Sequence, residues 1–402
     1  MMSKLVPKLR FKEFSEDWEE IELGKLGEFK GGGTPSKQID EYWKGDIPWI
    51  SSSDINKDNL HYININKFIN KKSIKESATK IIPRNSVLFV SRVGVGKLAI
   101  NENELCTSQD FTNFTPKETN SYYLGYFFIA NKNIFESFNQ GTSIKGFTKI
   151  DIETLKIKIP KLKEQEKIAK TLTSLDSLIE AENKKVETLK RHKKGLMQNL
   201  FPLDGEKEPK LRFDGFCGDW EEKTLENLSN ITMGSSPKSS FYNKNKEGVP
   251  LLQGNADIKN RKSYPRIYTT QITKECFEND ILLSVRAPVG TVAKSNHYAC
   301  IGRGISSIKA KKDNSQEWIY QWFLQFENRW SSISQGGTFE AVNSSDIKNL
   351  NILIPKLKEQ QKIANTLSSL DNLIEVQTKK VETLKQHKKG LMQKLFVNKE
   401  EN

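Results

Sequence analysis

Few residues in this chain have the type and spacing for covalent chemistry, and the patterns that would make a catalyst are incomplete. Gly-Val-Gly-Lys at 94–97 is a fragment of a phosphate-cradling loop. Ser91 stands where the leading glycine belongs, and Leu98 where the magnesium-binding Ser or Thr belongs. Gly31-Gly32-Gly33 is not the Gly-x-Gly-x-x-Gly turn of dinucleotide sites. His61, His192, His297 and His387 are too scattered for a metal centre. Cys106, Cys217, Cys276 and Cys300 form no Cys-x-x-Cys pair, which argues against structural zinc and against a disulfide framework. There is no Gly-x-Ser-x-Gly elbow and no Asn/Asp-Pro-Pro-aromatic tetrapeptide of the kind that holds an amine for methylation. Scattered Asp and Glu leave a carboxylate nuclease open, but no paired Asp…Glu-x-Lys pattern stands out. The expectation is a chain without catalytic residues, metal or cofactor of its own.

The chemistry that remains is recognition. Loops rich in Gly, Ser, Thr, Asn and Gln, with an occasional Arg or Lys, recur along the chain. In the first half they are Gly31–Ser36, Ser51–Asp54, Ser91–Lys97, Ser108–Asp110 and Gln140–Lys149. In the second half they are Gly234–Ser240, Gln253–Asn255, Ser284–Thr291, Gly302–Gly304 and Gln335–Ser345. Arg pairs with guanine, Asn and Gln pair with adenine, and hydroxyls and backbone NH groups bind phosphate. Candidate DNA contacts in the first half are Thr34, Ser36, Ser52, Arg92, Lys97, Gln109, Thr142, Lys145 and Lys149. In the second they are Ser236, Lys238, Gln253, Asn255, Arg261, Arg286, Arg303, Thr338 and Asn343. Taken singly each loop also reads as an ordinary turn. Arg92 and Arg286 align with each other and stand out.

What must position these loops is a duplicated unit. Residues 160–201 and 355–396 are nearly the same sequence, each opening Pro-Lys-Leu-Lys-Glu-Gln and closing on Lys-Lys-Gly-Leu-Met-Gln. The domain starts repeat too, PKLRFKEFSEDWEE at 7–20 and PKLRFDGFCGDWEE at 209–222. Between them likeness is low but landmarks persist: VLFVSRVGVG at 87–96 faces ILLSVRAPVG at 281–290, and Cys106 faces Cys300. Gly-Thr-Pro-Ser at 33–36 faces Ser-Ser-Pro-Lys at 235–238, a departure that leaves Ser236 less clearly a contact than Thr34. Two interiors that diverge on one scaffold suggest two targets; neutral drift after duplication would not spare the flanking segments so selectively. Strands are expected at Val87–Val90, Ile281–Val285, Leu155–Ile159 and Leu350–Ile354, and helices at Tyr122–Asn131 and Glu317–Asn328. The aromatics of the last helix read as core rather than as a base-stacking platform.

The near-identical segments read as helices. They carry Ala, Leu, Glu, Lys and Gln throughout, and Ile168, Leu172, Leu175, Ile179, Val186, Leu189 and Leu196 recur at alternating spacings of four and three once Glu182 and Lys193 fill the seam. The second copy repeats this with Ile363, Leu367, Leu370, Ile374, Gln377, Val381, Leu384, Lys388 and Leu391. A narrow apolar stripe needs a partner helix, and the other copy, run antiparallel, is the nearest; in that register Glu182 and Gln377 would form a polar layer near the centre. A rod of roughly 55 Å, at about 1.5 Å per residue, would hold two domains at a fixed distance. The basic ends at 190–195 and 385–390 suit phosphate or partner docking, and equally a solvated last turn that favours the helix dipole.

The formal charge of the 402 residues is +13, which favours a nucleic-acid partner, yet most of the excess lies on the two helical segments. The interiors are close to balanced, so contacts there must depend on local arrangement. The first residues have no apolar run of the secretory kind and no stretch is long enough to span a bilayer, so a cytoplasmic protein is expected. The fold class is α+β: two globular domains separated by two long helices forming an antiparallel coiled coil, a pseudo-two-fold tandem repeat. The boundaries are 1–160 and 202–355 for the domains, 161–201 and 356–402 for the helices.

A variable domain, then PKLKEQxKIAxxLxxLDxxIE…LKxxKKGLMQxLF, then the same again, resembles the specificity subunit of type I restriction-modification systems over the whole chain. That resemblance implies that each domain reads one half of a bipartite double-stranded DNA site across unspecified bases. It implies that the paired helices set the spacing and dock two methyltransferase (modification) subunits, and that restriction/translocase subunits complete the assembly. S-adenosylmethionine, ATP and Mg²⁺ are then expected in those partners. The competing readings are a coiled-coil scaffold without DNA readout and an orphan enzyme fused to recognition domains.

Overall fold

A computed structural model describes residues 6–57, 59–138, 146–203, 205–330 and 341–397. The chain divides into two compact units, one made of residues 1–183 and 379–402, the other of residues 184–378. Each unit therefore holds one globular domain, the first part of the long helix that follows it, and the last part of the other long helix.

In the first unit a four-stranded antiparallel sheet runs Gly27–Gly31, Phe111–Pro116, Val87–Val90, Leu98–Ile100. A second sheet runs Lys67–Ile69, Ile47–Ile50, Leu105–Thr107, Ile81–Ile82, with the middle pair parallel. The second unit repeats the plan: Ile281–Ser284 lies between Ile305–Ala310 and Val292–Lys294, and Val249–Leu252 runs parallel to Ala299–Ile301. A two-stranded ribbon closes each domain, Glu19–Glu22 with Lys156–Ile159 and Glu221–Thr224 with Asn351–Ile354. The fully buried strands read as unbroken apolar runs because both faces are covered.

Helix α1 (Ser121–Ala130) is apolar on every side and buried along most of its length, as a helix enclosed by a sheet and a second helix must be. The equivalent α3 spans Gln316–Phe326. Its Trp318, Ile319, Tyr320, Trp322, Phe323 and Phe326 are core residues, so its aromatics pack inward. Asn120 and Ser315 cap the two helices, accepting the NH of Tyr123 at 3.0 Å and of Trp318 at 3.2 Å.

The long helices are α2 (Leu162–Leu200) and α4 (Leu357–Leu395), each about 60 Å at about 1.5 Å per residue. In the first unit Asp176 meets Lys388 at 2.5 Å and Glu182 meets Lys380 at 3.1 Å; in the second, Lys193 meets Asp371 at 2.6 Å. In the first unit the partner's number falls as the residue's own rises, so the helices run antiparallel there. Ile168, Leu172, Ile179, Val186, Ile363, Leu367 and Val381 are buried, and Leu175, Leu189, Leu370, Ile374 and Leu384 are half-buried. Lys193 and Lys388 sit in an apolar seam because their ammonium groups reach across to an aspartate of the opposite helix.

The paired signatures of the repeat have a structural reason. Glu164 takes a two-pronged contact from Arg10 at 2.8 and 2.7 Å, and Glu359 the same from Arg212 at 2.8 and 2.9 Å. Gln165 accepts the Asn120 NH at 2.9 Å and Gln360 the Ser315 NH at 2.8 Å, so each glutamine clamps the start of its domain helix. Asp176 accepts from the Tyr126 hydroxyl at 2.7 Å, and Asp371 from the Gln321 amide at 2.8 Å. Burial first, then the Asp176 charge, push the Tyr126 phenol far above its ordinary value, so it stays protonated and donates.

Candidate nucleic-acid interface

The loops singled out by composition converge at one place in each domain, through matching backbone bonds. In the first, Gly33 N donates to Thr107 O at 2.8 Å, Ser108 N to Ile50 O at 2.9 Å, Ser91 N to Asp110 O at 2.8 Å and Phe147 N to Ser91 O at 3.0 Å. In the second, Ser235 N donates to Ile301 O at 2.9 Å, Gly302 N to Leu252 O at 2.8 Å, Val285 N to Gly304 O at 3.0 Å and Val342 N to Val285 O at 2.8 Å. Each bond of one set has its counterpart in the other. Gly96 and Gly290, also counterparts, both hold positive φ, +86° and +94°, where a side chain would be strained.

Within these clusters the side chains differ in how far they are committed. Arg92, Arg286 and Arg303 are exposed, and no hydrogen bond or ion pair ties their guanidinium groups to any described residue. Gln109 is exposed, and its amide oxygen is engaged by the Thr34 hydroxyl. Ser236 Oγ accepts the Arg303 NH at 3.1 Å. Lys97 Nζ donates to the carbonyl of buried Ser52 at 3.1 Å, and Ser36 Oγ accepts from Gln38 NH at 3.3 Å. Lys238 is exposed, with its NH on Gln271 at 3.0 Å. Gln253 donates to the Tyr242 hydroxyl at 3.0 Å, and Asn255 opens a short 3₁₀ turn.

Three candidates are placed in structural roles. Asn343 caps the helix Ser344–Lys348 in a reciprocal box with Asp346. Lys149 pairs with Glu153 at 3.7 Å one helical turn on. Arg261 is committed to other protein groups: its fork grips Glu327 at 2.5 and 2.6 Å and donates at 3.1 Å to the carbonyl of Val292, the residue after the Ser284–Thr291 loop. Thr142, Lys145 and Thr338 lie outside the described residues. Composition gave no sign of the Asp176 and Asp371 clamps, because each is an ordinary polar residue beside a seam leucine; their recurrence at matching places in both copies was the available signal. Among the described residues no cluster of His, Cys, Asp or Glu could hold a metal ion, and no helix is long and apolar enough to cross a membrane.

A duplicated α+β domain, with its polar loops bonded into one cluster in each copy and each core completed by residues of both long helices, is what the chain presents. The family model described as "Type I restriction modification DNA specificity domain" matches twice, over residues 15–191 and 218–386. The chain belongs to the family of type I restriction-modification specificity subunits, with two target-recognition domains. It is 33% identical to the Methanocaldococcus jannaschii protein assigned as the type I restriction enzyme MjaX specificity subunit, over 96% of this chain and 94% of that one. It is 28% identical to the MjaIX specificity subunit of the same organism, over 94% of this chain and 93% of that one. The crystal structure of a type I restriction-modification S subunit from M. genitalium shares the fold, with a TM-score of 0.67 at 15% identity over 98% of this chain and 99% of that one.

Proposed function

We propose that the chain reads a bipartite double-stranded DNA site and catalyses nothing itself. Each loop cluster meets one half-site, and the paired long helices set the spacer and dock two methyltransferase subunits. Restriction/translocase subunits complete the assembly in the cytoplasm. S-adenosylmethionine, ATP and Mg²⁺ belong to those partners. The observation that carries this reading is the recurrence of one loop cluster in both domains, each with an exposed, uncommitted arginine at the same place, Arg92 and Arg286. Free guanidinium groups on a preformed loop platform suit guanine edges and phosphates, and membership of the specificity-subunit family supports DNA as the ligand. The near balance of charge in the domains means that the fit must be local.

Methylation-aware sequencing of the host genome, with and without this gene, tests the proposal. The expected result is a split motif with methylated adenine in both halves and one fixed spacer, lost on deletion. A methylation pattern unchanged by deletion would sink it, and a spacer of variable length would sink the ruler role of the helices.

A further inference from the structure

The matched loop clusters contain one position where the two copies agree in backbone and differ in reading chemistry. Ser108 O accepts from Phe111 N at 3.2 Å, and Gly302 O from Ile305 N at 3.0 Å, closing the same four-residue turn in each domain. Gln109 holds the second position of the first turn and Arg303 that of the second. The turns follow equivalent strands, fixed by the parallel pairs Ile50–Thr107 and Leu252–Ile301. Both residues are exposed. Both are also buttressed by the same neighbouring loop, Gln109 through the Thr34 hydroxyl and Arg303 through a bond from its NH to the Ser236 hydroxyl at 3.1 Å.

We infer that Gln109 and Arg303 are the residues that make the two half-sites differ at one equivalent base pair, adenine in the first and guanine in the second; this rests on the DNA-reading function proposed above. A glutamine amide pairs in two places with the adenine edge, and a guanidinium with the guanine edge. In the first domain the Thr34 hydroxyl uses one lone pair of the Gln109 amide oxygen. This fixes which end of the amide is donor and which is acceptor, and leaves the NH₂ and the second lone pair for a base. In the second, Ser236 holds the backbone only, so the Arg303 guanidinium is left for a guanine. Arg92 and Arg286, identical in type and place, cannot make the half-sites differ. Asp110 beside Gln109 is replaced by Gly304 beside Arg303, which keeps a carboxylate away from the guanidinium.

The test uses the intact complex purified from its host and competing duplexes that carry every single-base-pair change of the motif. The expected result for Gln109→Arg with Asp110→Gly is a preference moved from A·T to G·C at one position of one half-site, by roughly tenfold to a hundredfold, with the other half unchanged. Arg303→Gln should do the reverse in the other half. Thr34→Val, which keeps Gln109 but removes its orienting hydroxyl, should relax the same A·T pair several-fold. Melting curves identify a variant that fails to fold, and the remaining two then decide. If the wild-type complex selects no bipartite motif, the proposed function fails. If it selects one and the folded variants keep every base preference, or weaken all duplexes alike, this inference fails alone.

Discussion

Burial decides which thiols of this protein can react. Cys106, Cys276 and Cys300 are buried and Cys217 is exposed. Burial pushes the Cys106 and Cys276 thiols up to about 11, so at neutral pH the nucleophilic thiolate is nearly absent as well as shielded. Maleimide labelling of the native protein at pH 7 should therefore modify Cys217 alone, with all four reacting after denaturation; rapid native labelling of Cys106 would contradict the packing of the first domain. At this scale the sequence was partly legible. The match of Arg92 with Arg286 could be read from the aligned copies, because the turn that follows needs Gly96 and Gly290 at positive φ. The cap at Asn343 is visible in the sequence as Asn-Ser-Ser-Asp. The capture of Arg261 by Glu327 joins residues far apart in sequence, and no local pattern announces it.

At the scale of elements, the heptad spacing was enough to foresee two long helices and an antiparallel seam, because a stripe of that width has few ways to leave water. It could not show how the domains attach to them. That attachment runs through single polar residues whose partners come from another element: Arg10 on Glu164, Tyr126 on Asp176, Gln321 on Asp371. The Glu164 side chain is only 3% exposed, so Arg10→Ala would strand a buried carboxylate. That change should cost about 3–5 kcal/mol, and Arg212→Ala the same for Glu359. Lys161→Ala, which removes a pair with Glu16 in which both side chains are exposed, should cost less than about 1 kcal/mol. Urea titrations of the three variants check the ordering; equal costs for Arg10→Ala and Lys161→Ala would show that Glu164 relaxes into water when its partner is lost.

For the whole molecule, each unit is completed by the end of the other copy's helix. Met392, Leu395 and Phe396 belong to the core of the first domain, where Phe396 lies 5.4 Å from Tyr123 and 6.1 Å from Phe127 between ring centroids. In the second unit Leu200 and Phe201 do the same work, with Phe201 5.5 Å from Trp318. The arm that precedes each domain also lies on that borrowed helix end: Leu9 N donates to Lys394 O at 2.9 Å, and Leu211 N to Asn199 O at 2.8 Å. Because the two helix ends share Leu-Met-Gln-x-Leu-Phe, residues 1–201 alone carry both halves of the contact: a domain that needs a helix end, and a helix end that fits such a domain. One copy cannot satisfy itself, since a continuous helix of 39 residues, about 60 Å at about 1.5 Å per residue, runs between its domain and its helix end, but two copies can satisfy each other by a closed two-fold exchange. A chain of residues 1–201 should therefore be a homodimer by light scattering, and Phe201→Ala should loosen it, since that change empties a buried aromatic site worth about 3–5 kcal/mol. A folded monomer whose aromatic circular dichroism matches that of the dimer would mean that the domain closes its core without the second helix end. The shared helix ends would then join the copies without completing them.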